Sequence, residues 1–217
     1  MSNGVQVTAT SSVRAIVEES QAPPPGKEVK IKAGLSGDFN MIKETFALQE
    51  VPKEATFLGL SGLIPYVTTS ATTLFLAYDV KHIHSHGVGY IFNEQQATTM
   101  LSYLEPLQIG YGAVILSFLG AIHWGLEFAK FGGSSPYTRY GLGVMATIIA
   151  WPTVFMPYDY ALLAQFGGFV AMYFADARIT SRGWAPRWYT TYRFILTFVV
   201  GASIVMSLVG RGQVTLP

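Results

Sequence analysis

The chain has 217 residues, of which 50% are hydrophobic and only 12% are charged, whereas soluble domains carry about 25% charged residues. Its formal net charge of +1 gives no electrostatic reason to expect binding to nucleic acid. It contains no cysteine, which excludes disulfides, thiolate metal sites and cysteine nucleophiles. The composition therefore favours a membrane protein over a soluble enzyme or a nucleic-acid-binding protein.

The charges are concentrated at the N-terminus. Residues 1–56 hold six of the 14 Lys and Arg residues and seven of the 13 acidic residues. We therefore divide the chain into a polar N-terminal arm, residues 1–52, and a membrane domain, residues 53–212. The arm begins with an acid-free, Ser- and Thr-rich stretch that weakly matches a transit peptide and fits a plain polar tail better. A proline-rich linker follows, and then a short amphipathic helix around Ile42, which lies on the membrane surface or docks against the protein's own loops.

Five apolar segments come next, each near the ~20 residues that a helix needs to cross a bilayer. They cover approximately residues 57–78, 107–128, 139–156, 160–175 and 188–210. Backbone groups in lipid must be satisfied within their own segment, so these spans are predicted to be helices. The predicted fold class is an all-α membrane protein, a bundle of five transmembrane helices with a polar N-terminal arm and short amphipathic surface helices.

The connections between the spans differ in length. The tripeptide "PYD", Pro157 to Asp159, joins the third and fourth spans in a tight helical hairpin. In the longer first connection, Asn93 and Gln96 form a capping-box pattern, which predicts a separate surface helix that ends where Pro106 begins the second span.

Small residues at helical spacing predict close contacts between helices in lipid. They are Gly143, Ala146 and Ala150 in the third span, and Ala164 with Gly168, and Gly167 with Ala171 and Ala175, in the fourth.

The distribution of Lys and Arg predicts the orientation. Eight lie on the N-terminal side of the spans and two on the opposite side: Lys43, Lys53, Lys130, Arg139, Arg178, Arg182, Arg187 and Arg193 against Lys81 and Arg211. We therefore place the N-terminus in the cytoplasm or, in a mitochondrion, in the matrix, with the C-terminus on the other side.

Three histidines in "KHIHSHG" are the only candidate metal ligands. His82, His84 and His86 alternate, so in a strand they would share one face, and imidazole is a common metal ligand. The segment reads as a loop without an evident fourth ligand, which favours solvated side chains over a metal site.

Ionisable residues near the end of the second span form the main candidate site. His123 and Glu127 are one helical turn apart, and a carboxylate at a helix C-terminus is disfavoured by the helix dipole unless a cation is near. Arg193 lies about one turn into the fifth span and needs an acidic partner or contact with water. We predict an inner-face polar cluster of His123, Glu127, Asp176 and Arg193. Glu127 and Asp176 are both candidate partners of Arg193, and Arg139, Arg178 and Arg187 are further candidate partners of Glu127. We favour a structural clamp over a catalytic or transport site.

Counting along the second span places this cluster near the membrane interface. His123 is about 16 residues, or ~24 Å, beyond Leu107 in a hydrocarbon core of ~30 Å. Trp124, Trp184, Trp188 and Tyr189 are accordingly predicted to form an interfacial aromatic belt.

Three stretches resemble one known family. "LEPLQIGYGAVILSFLGAIHWGLE", "LGLSGLIPY" and "APRWYTTYRFILT" are similar, in order, to recurrent stretches of the transmembrane protein 69-like family, over about residues 52–210. The long arm resembles the eukaryotic branch called mitochondrial inner membrane protein 1. The resemblance implies a five-span inner-membrane protein and supplies no activity, cofactor or catalytic residue.

These observations favour a non-enzymatic inner-membrane protein that serves as an accessory or assembly component of a larger complex, with protein partners in the same membrane. No phosphate loop, nucleophile elbow or dinucleotide fingerprint is present in the sequence. We expect no cofactor and leave open a bound lipid. The alternatives are a small-solute or proton carrier that uses the inner-face cluster, and a membrane enzyme or a quinone- or lipid-binding protein, which would need a pocket open to lipid.

Overall fold

A computed structural model of the chain describes residues 51–215, and these residues form helices and connecting turns without a strand. The helices are α1 (Lys53–Ser61), α2 (Ile64–His86), α3 (Glu94–Phe128), α4 (Pro136–Thr153), α5 (Tyr158–Ser181) and α6 (Arg187–Thr215). The all-α class predicted from sequence is confirmed for this part of the chain. The arm, with its predicted linker and amphipathic helix, lies outside the described residues, and its boundary at residue 52 stays a prediction.

The long helices pack in a closed ring. Each helix from α2 to α5 contacts the next one along the chain, and α6 returns to contact α2. α3 also contacts α5 across the ring. The core between them is apolar and includes Leu116, Leu162 and Phe169, all almost completely buried. This arrangement brings the ends of α3, α5 and α6 together at one end of the bundle.

Three segments are long and apolar enough to cross a bilayer: Lys53–His86, Glu94–Phe128 and Arg187–Gln213. The prediction of five such helices is therefore too high by this criterion for the described residues. α4 has only 18 residues and includes Arg139, and α5 carries Gln165 and Asp176. These polar side chains lower the mean hydropathy of α4 and α5 below the level that the three longer segments reach.

Two helix boundaries differ from the prediction, and a proline lies at or near each of them. The first span is divided into α1 and α2 at Gly62 and Leu63, and Pro65 lies in the first turn of α2, where its missing N–H removes no helical hydrogen bond. Pro106 lies inside α3 and does not start a new helix. The predicted surface helix is therefore the first part of a continuous 35-residue α3.

The N-terminal part of α3 is anchored as the sequence indicates. Asn93 and Gln96 form the predicted capping box, with the Asn93 side chain 2.8 Å from the Gln96 backbone nitrogen. Ala97 and Leu101 are buried against Leu76 and Val80 of α2. This face therefore packs against the protein, and a helix of about 52 Å extends beyond a hydrocarbon core of ~30 Å.

Two glycines allow α3 and α4 to approach closely. A Cβ on Gly120 of α3 would lie 2.6 Å from the Cβ of Ala146 and 2.7 Å from the carbonyl oxygen of Gly143, both on α4. Ala146 and Ala150 are fully buried, which confirms the predicted contact surface of the third span. The hairpin is also confirmed, since α4 ends at Thr153 and α5 begins at Tyr158.

Of the two small-residue rows predicted in α5, the structure buries part of one. A Cβ on Gly168 would meet Leu116 and Ile149, so this glycine faces neighbouring helices. A Cβ on Gly167 would meet nothing within 4 Å, and Ala171 is exposed. The row that starts at Gly167 therefore faces outwards, and its assignment to a contact inside the bundle is wrong.

Candidate functional site

A buried ionic triad joins the ends of α3, α5 and α6. His123, Asp176 and Arg193 have side chains that are 0%, 0% and 1% exposed. Arg193 Nε donates to Asp176 Oδ2 at 2.5 Å, and His123 Nε2 lies 3.2 Å from Asp176 Oδ1. The Asp176 carboxylate of α5 thus lies between the His123 imidazole of α3 and the Arg193 guanidinium of α6. The structure brings together three of the four residues predicted to cluster.

The triad retains unused hydrogen-bonding capacity. Within the described residues, His123 Nδ1 and Arg193 Nη2 are buried without a hydrogen-bond partner. The His123 Nε2 approach to Asp176 is close enough for an ion pair but is not aligned as a hydrogen bond. Buried polar atoms of this kind are uncommon and call for an explanation, such as a functional group or a ligand.

Glu127 belongs to a second, separate pair. Of the candidate partners, it pairs with Arg139 of α4, whose Nη1 lies 3.1 Å from Glu127 Oε2, whereas Arg193 pairs with Asp176. Glu127 also accepts hydrogen bonds from Ser134 Oγ at 2.6 Å and from the Ser135 backbone nitrogen at 3.0 Å. The loop that follows α3 thereby supplies the donors that offset the unfavourable helix C-terminus.

Arg139 is completely buried and holds two loops together. Besides Glu127, its guanidinium donates to the backbone carbonyls of Leu126, Phe131, Gly133 and Trp184 at 3.1, 2.5, 3.0 and 3.1 Å. These acceptors lie at the end of α3, in the α3–α4 loop and in the α5–α6 loop. Three of these acceptors, on Phe131, Gly133 and Trp184, are loop carbonyls that lie outside the regular hydrogen bonding of a helix, so this single cation supplies donors to several of them at once. The position of Arg139 in the first turn of an apolar segment was the sequence signal for such a role.

The four aromatic residues of the predicted belt differ in exposure. Trp124 is 40% exposed, and its indole nitrogen donates to the Tyr140 carbonyl oxygen at 3.3 Å. Trp184 and Trp188 are half-buried. Tyr189 is only 4% exposed, so it belongs to the interior and cannot anchor at a headgroup surface. Trp184 lies beneath the guanidinium groups of Arg139 and Arg182, at 5.5 and 5.4 Å from the ring centroid.

A network of buried amides lies toward the other end of the bundle, and the sequence analysis missed it. Gln108 of α3 donates to Ser70 and Ser207, both at 2.9 Å, and accepts from the Tyr158 hydroxyl at 2.8 Å. This one side chain therefore links α2, α3, α5 and α6. Gln108 stands within an apolar segment, about four helical turns from His123. Its position indicates a buried polar contact, but a search for charged residues does not detect it.

A second glutamine extends the same layer. Gln165 of α5 donates to the Ile109 carbonyl oxygen at 2.8 Å and to Thr153 Oγ1 at 2.9 Å. Gly112 makes room for it, because a Cβ there would clash with the Gln165 side chain. Interhelical hydrogen bonds in lipid each contribute roughly 0.6–2 kcal/mol, so the layer fixes the register of the helices.

The three histidines of "KHIHSHG" lie in the last turns of α2 and not in a loop. His82 and His86 stack with ring centroids 4.2 Å apart, and His82 Nδ1 lies 2.8 Å from the Val88 carbonyl oxygen. His84 points elsewhere, with Nε2 3.0 Å from Glu94. No group of three potential metal ligands occurs among residues 51–215.

An all-helical bundle with broad exposed apolar surfaces, helices long enough to cross a bilayer and charges neutralised inside it defines an integral membrane protein. Residues 51–209 match the family described as "protein of unknown function (DUF3429)", and the chain belongs to that family.

One relative supports the same assignment. The chain is 28% identical over 167 residues to transmembrane protein 69 of Xenopus tropicalis, and the match covers 75% of this chain. The chain spans about half of the relative, 56% of its length. The predicted resemblance to the transmembrane protein 69-like family is thereby confirmed. No solved structure matches the chain.

Proposed function

We propose that the chain is a non-enzymatic, five-span protein of the mitochondrial inner membrane that serves as an accessory or assembly component of a larger complex. The main support for this proposal is that buried charged groups in the described residues connect helices and loops to one another. Arg139 alone joins the ends of α3, α4 and α5 through hydrogen bonds to backbone and carboxylate. Charges used in this way build a scaffold, which is what an assembly component requires.

Five spans are supported by the shape and surface of α4 and α5. α4 has 18 residues, or about 27 Å, close to the ~30 Å of a hydrocarbon core. The charges that reduce the apolar character of these helices, Arg139 and Asp176, are fully buried and paired. Their outward faces are apolar, as Ile148 at 56% and Phe174 at 64% exposure illustrate. Lipid would therefore meet mainly apolar side chains along the middle of these two helices.

The orientation follows from the cations that remain accessible. Arg139 and Arg193 are buried, but other cations at the same end of the bundle are exposed: Lys130, Arg178, Arg182 and Arg187. The opposite end carries Lys81 and Arg211. The positive-inside rule then favours the α3–α4 loop in the matrix and the C-terminus in the intermembrane space.

Copurification tests the accessory role. The full chain, tagged at low expression and extracted in mild detergent, is expected to migrate on native gels with a much larger assembly and to copurify with a constant set of membrane proteins. An unrelated inner-membrane protein with the same tag is the control. Migration as a monomer or dimer in every mild detergent would contradict the proposal.

The triad supports a second candidate, a proton or small-solute carrier. Ionisable side chains buried in a membrane mark proton and ion paths in many transporters, and His123 Nδ1 is buried without a hydrogen-bond partner among residues 51–215. A carrier predicts that protein in liposomes dissipates a pH gradient and that Asp176→Asn abolishes this flux with folded protein intact. The scaffold predicts no flux in either protein and a lower melting temperature for the variant.

A further inference from the structure

We propose that a lateral cavity between α1, α3 and α6 binds an apolar molecule with a neutral carbonyl oxygen, the chemistry that isoprenoid quinones and acyl esters share. The cavity has a volume of about 310 Å³ and an almost wholly apolar wall. Leu58, Val114 and Phe118 line it and are 67%, 64% and 66% exposed. Since these side chains face lipid in a membrane protein, a ligand would enter from the bilayer.

Arg193 and Thr197, one turn apart on α6, belong to this wall and hold buried polar atoms just behind its surface. Arg193 is 1% exposed and its Nη2 has no hydrogen-bond partner, and the buried Thr197 Oγ1 also has none, within the described part of the chain. A buried donor without an acceptor destabilises the folded protein. One ligand oxygen near both groups would remove this cost.

The charge of the site selects a neutral acceptor. Arg193 already pairs with Asp176 through Nε, so its positive charge is compensated within the triad. An anionic ligand would bring a second negative charge, beside Asp176, into a buried site where Arg193 is the permanently charged cation, which is unfavourable. A carbonyl oxygen supplies the missing acceptor without adding charge.

The cavity is small and its walls are held in place. Its volume is at the lower end of the ~300–1,000 Å³ typical of ligand sites, so it fits one ring or part of one chain better than a two-chain phospholipid. The Tyr111 hydroxyl donates to the Gly62 carbonyl oxygen at 2.6 Å, which fixes the break between α1 and α2 against α3. A side chain at Gly59 would clash with the Tyr192 hydroxyl, so glycine at this position lets the Tyr192 ring pack against α1 in the cavity wall.

Thermal unfolding of the full chain in dodecyl maltoside, a detergent without a carbonyl group, tests the site. The probes are decylubiquinone, methyl palmitate and decylbenzene. We expect a saturable rise in melting temperature with at least one of the first two, because a ligand that binds the folded state stabilises it, and none with decylbenzene. The effective probe distinguishes a quinone from an acyl ester. No saturable rise with either, or an equal rise with decylbenzene, would overturn the proposal.

Matched variants locate the binding. Val114→Trp fills the mouth and is expected to abolish the rise, whereas Val144→Trp, at an exposed position in a different groove between α3 and α4, is expected to retain it. Thr197→Val removes one hydroxyl and should weaken binding about three- to tenfold. Unchanged binding in both Val114→Trp and Thr197→Val would place the ligand elsewhere and reject this site. The site goes beyond the accessory role, and its test requires no partner protein.

Discussion

At the residue scale, Arg139 is the side chain with the largest expected effect on stability. Its replacement in Arg139→Gln leaves Glu127 buried without a cation and removes the donors to several backbone carbonyls. Breaking a buried pair on one side costs about 3–5 kcal/mol, so we expect a large fall in the melting temperature of the purified protein.

Arg182→Gln is the matched control. Arg182 lies over the same Trp184 ring but is exposed, so its loss is expected to change stability by at most about 1 kcal/mol. Equal losses of stability in the two variants would show that the buried contacts of Arg139 contribute little.

The sequence indicated which residues of the site are buried charges, but not how they pair. Charges in apolar segments are detectable by inspection, which is how His123, Glu127, Asp176 and Arg193 were selected. Pairing depends on which side of each helix faces which neighbour. Glu127 and Arg193 lie at the same end of the bundle, yet the α3–α4 loop turns Arg139 back onto Glu127 and leaves Arg193 to Asp176. That turn is a property of the tertiary structure.

At the scale of elements, the contact between α3 and α4 depends on the absence of a side chain at one position. In Gly120→Ala the new methyl would lie 2.6 Å from the Ala146 Cβ and 2.7 Å from a backbone oxygen of α4. Backbone cannot move aside as a flexible side chain can, so α3 and α4 must separate. We expect a lower melting temperature, by an amount equivalent to about 1–3 kcal/mol.

Gly125→Ala provides the control on the same helix. A Cβ at this position would meet nothing within 4 Å, and alanine favours helix by up to about 1 kcal/mol over glycine. Stability is therefore expected to stay the same or to rise. A fall in melting temperature of similar size in both variants would contradict the explanation that tight packing at Gly120 causes the loss, because Gly125→Ala meets no neighbouring atom.

Helix positions were predictable to the extent that a single pattern controls them. Apolar length located the long helices, and the capping box located the start of α3. The division at Gly62 and the continuation through Pro106 were not predictable, because the same residue type begins one helix and lies inside another. Tertiary contacts decide between these outcomes: Ala97 and Leu101 pack on α2 and hold the first turns of α3 in line with the rest. The layer around Gln108 was missed because uncharged amides carry little weight in a hydropathy pattern.

At the scale of the whole molecule, the number of membrane crossings can be measured directly, because the chain has no cysteine of its own. If α4 and α5 both cross, the loop between them lies on the same side as the α2–α3 loop. If they do not cross, it lies on the side of the α3–α4 loop. Three exposed positions report the sides of these loops: Val88 in the α2–α3 loop at 66% exposure, Phe155 in the α4–α5 loop at 72%, and Tyr137 at 95% in the first turn of α4, next to the α3–α4 loop.

We expect Phe155→Cys to react with a membrane-impermeant maleimide from the same side as Val88→Cys, and Tyr137→Cys only from the opposite side. The physical reason is that Arg139 and Asp176 are paired inside the bundle, and the exposed charges of α5, Asp159 and Arg178, lie in its first and last turns, where they can reach the membrane surface. Labelling in sealed vesicles before and after permeabilisation gives the measurement, and melting temperatures verify that each variant is folded. Reaction of Phe155→Cys together with Tyr137→Cys would instead establish three crossings, with α4 and α5 as a hairpin on one side of the membrane.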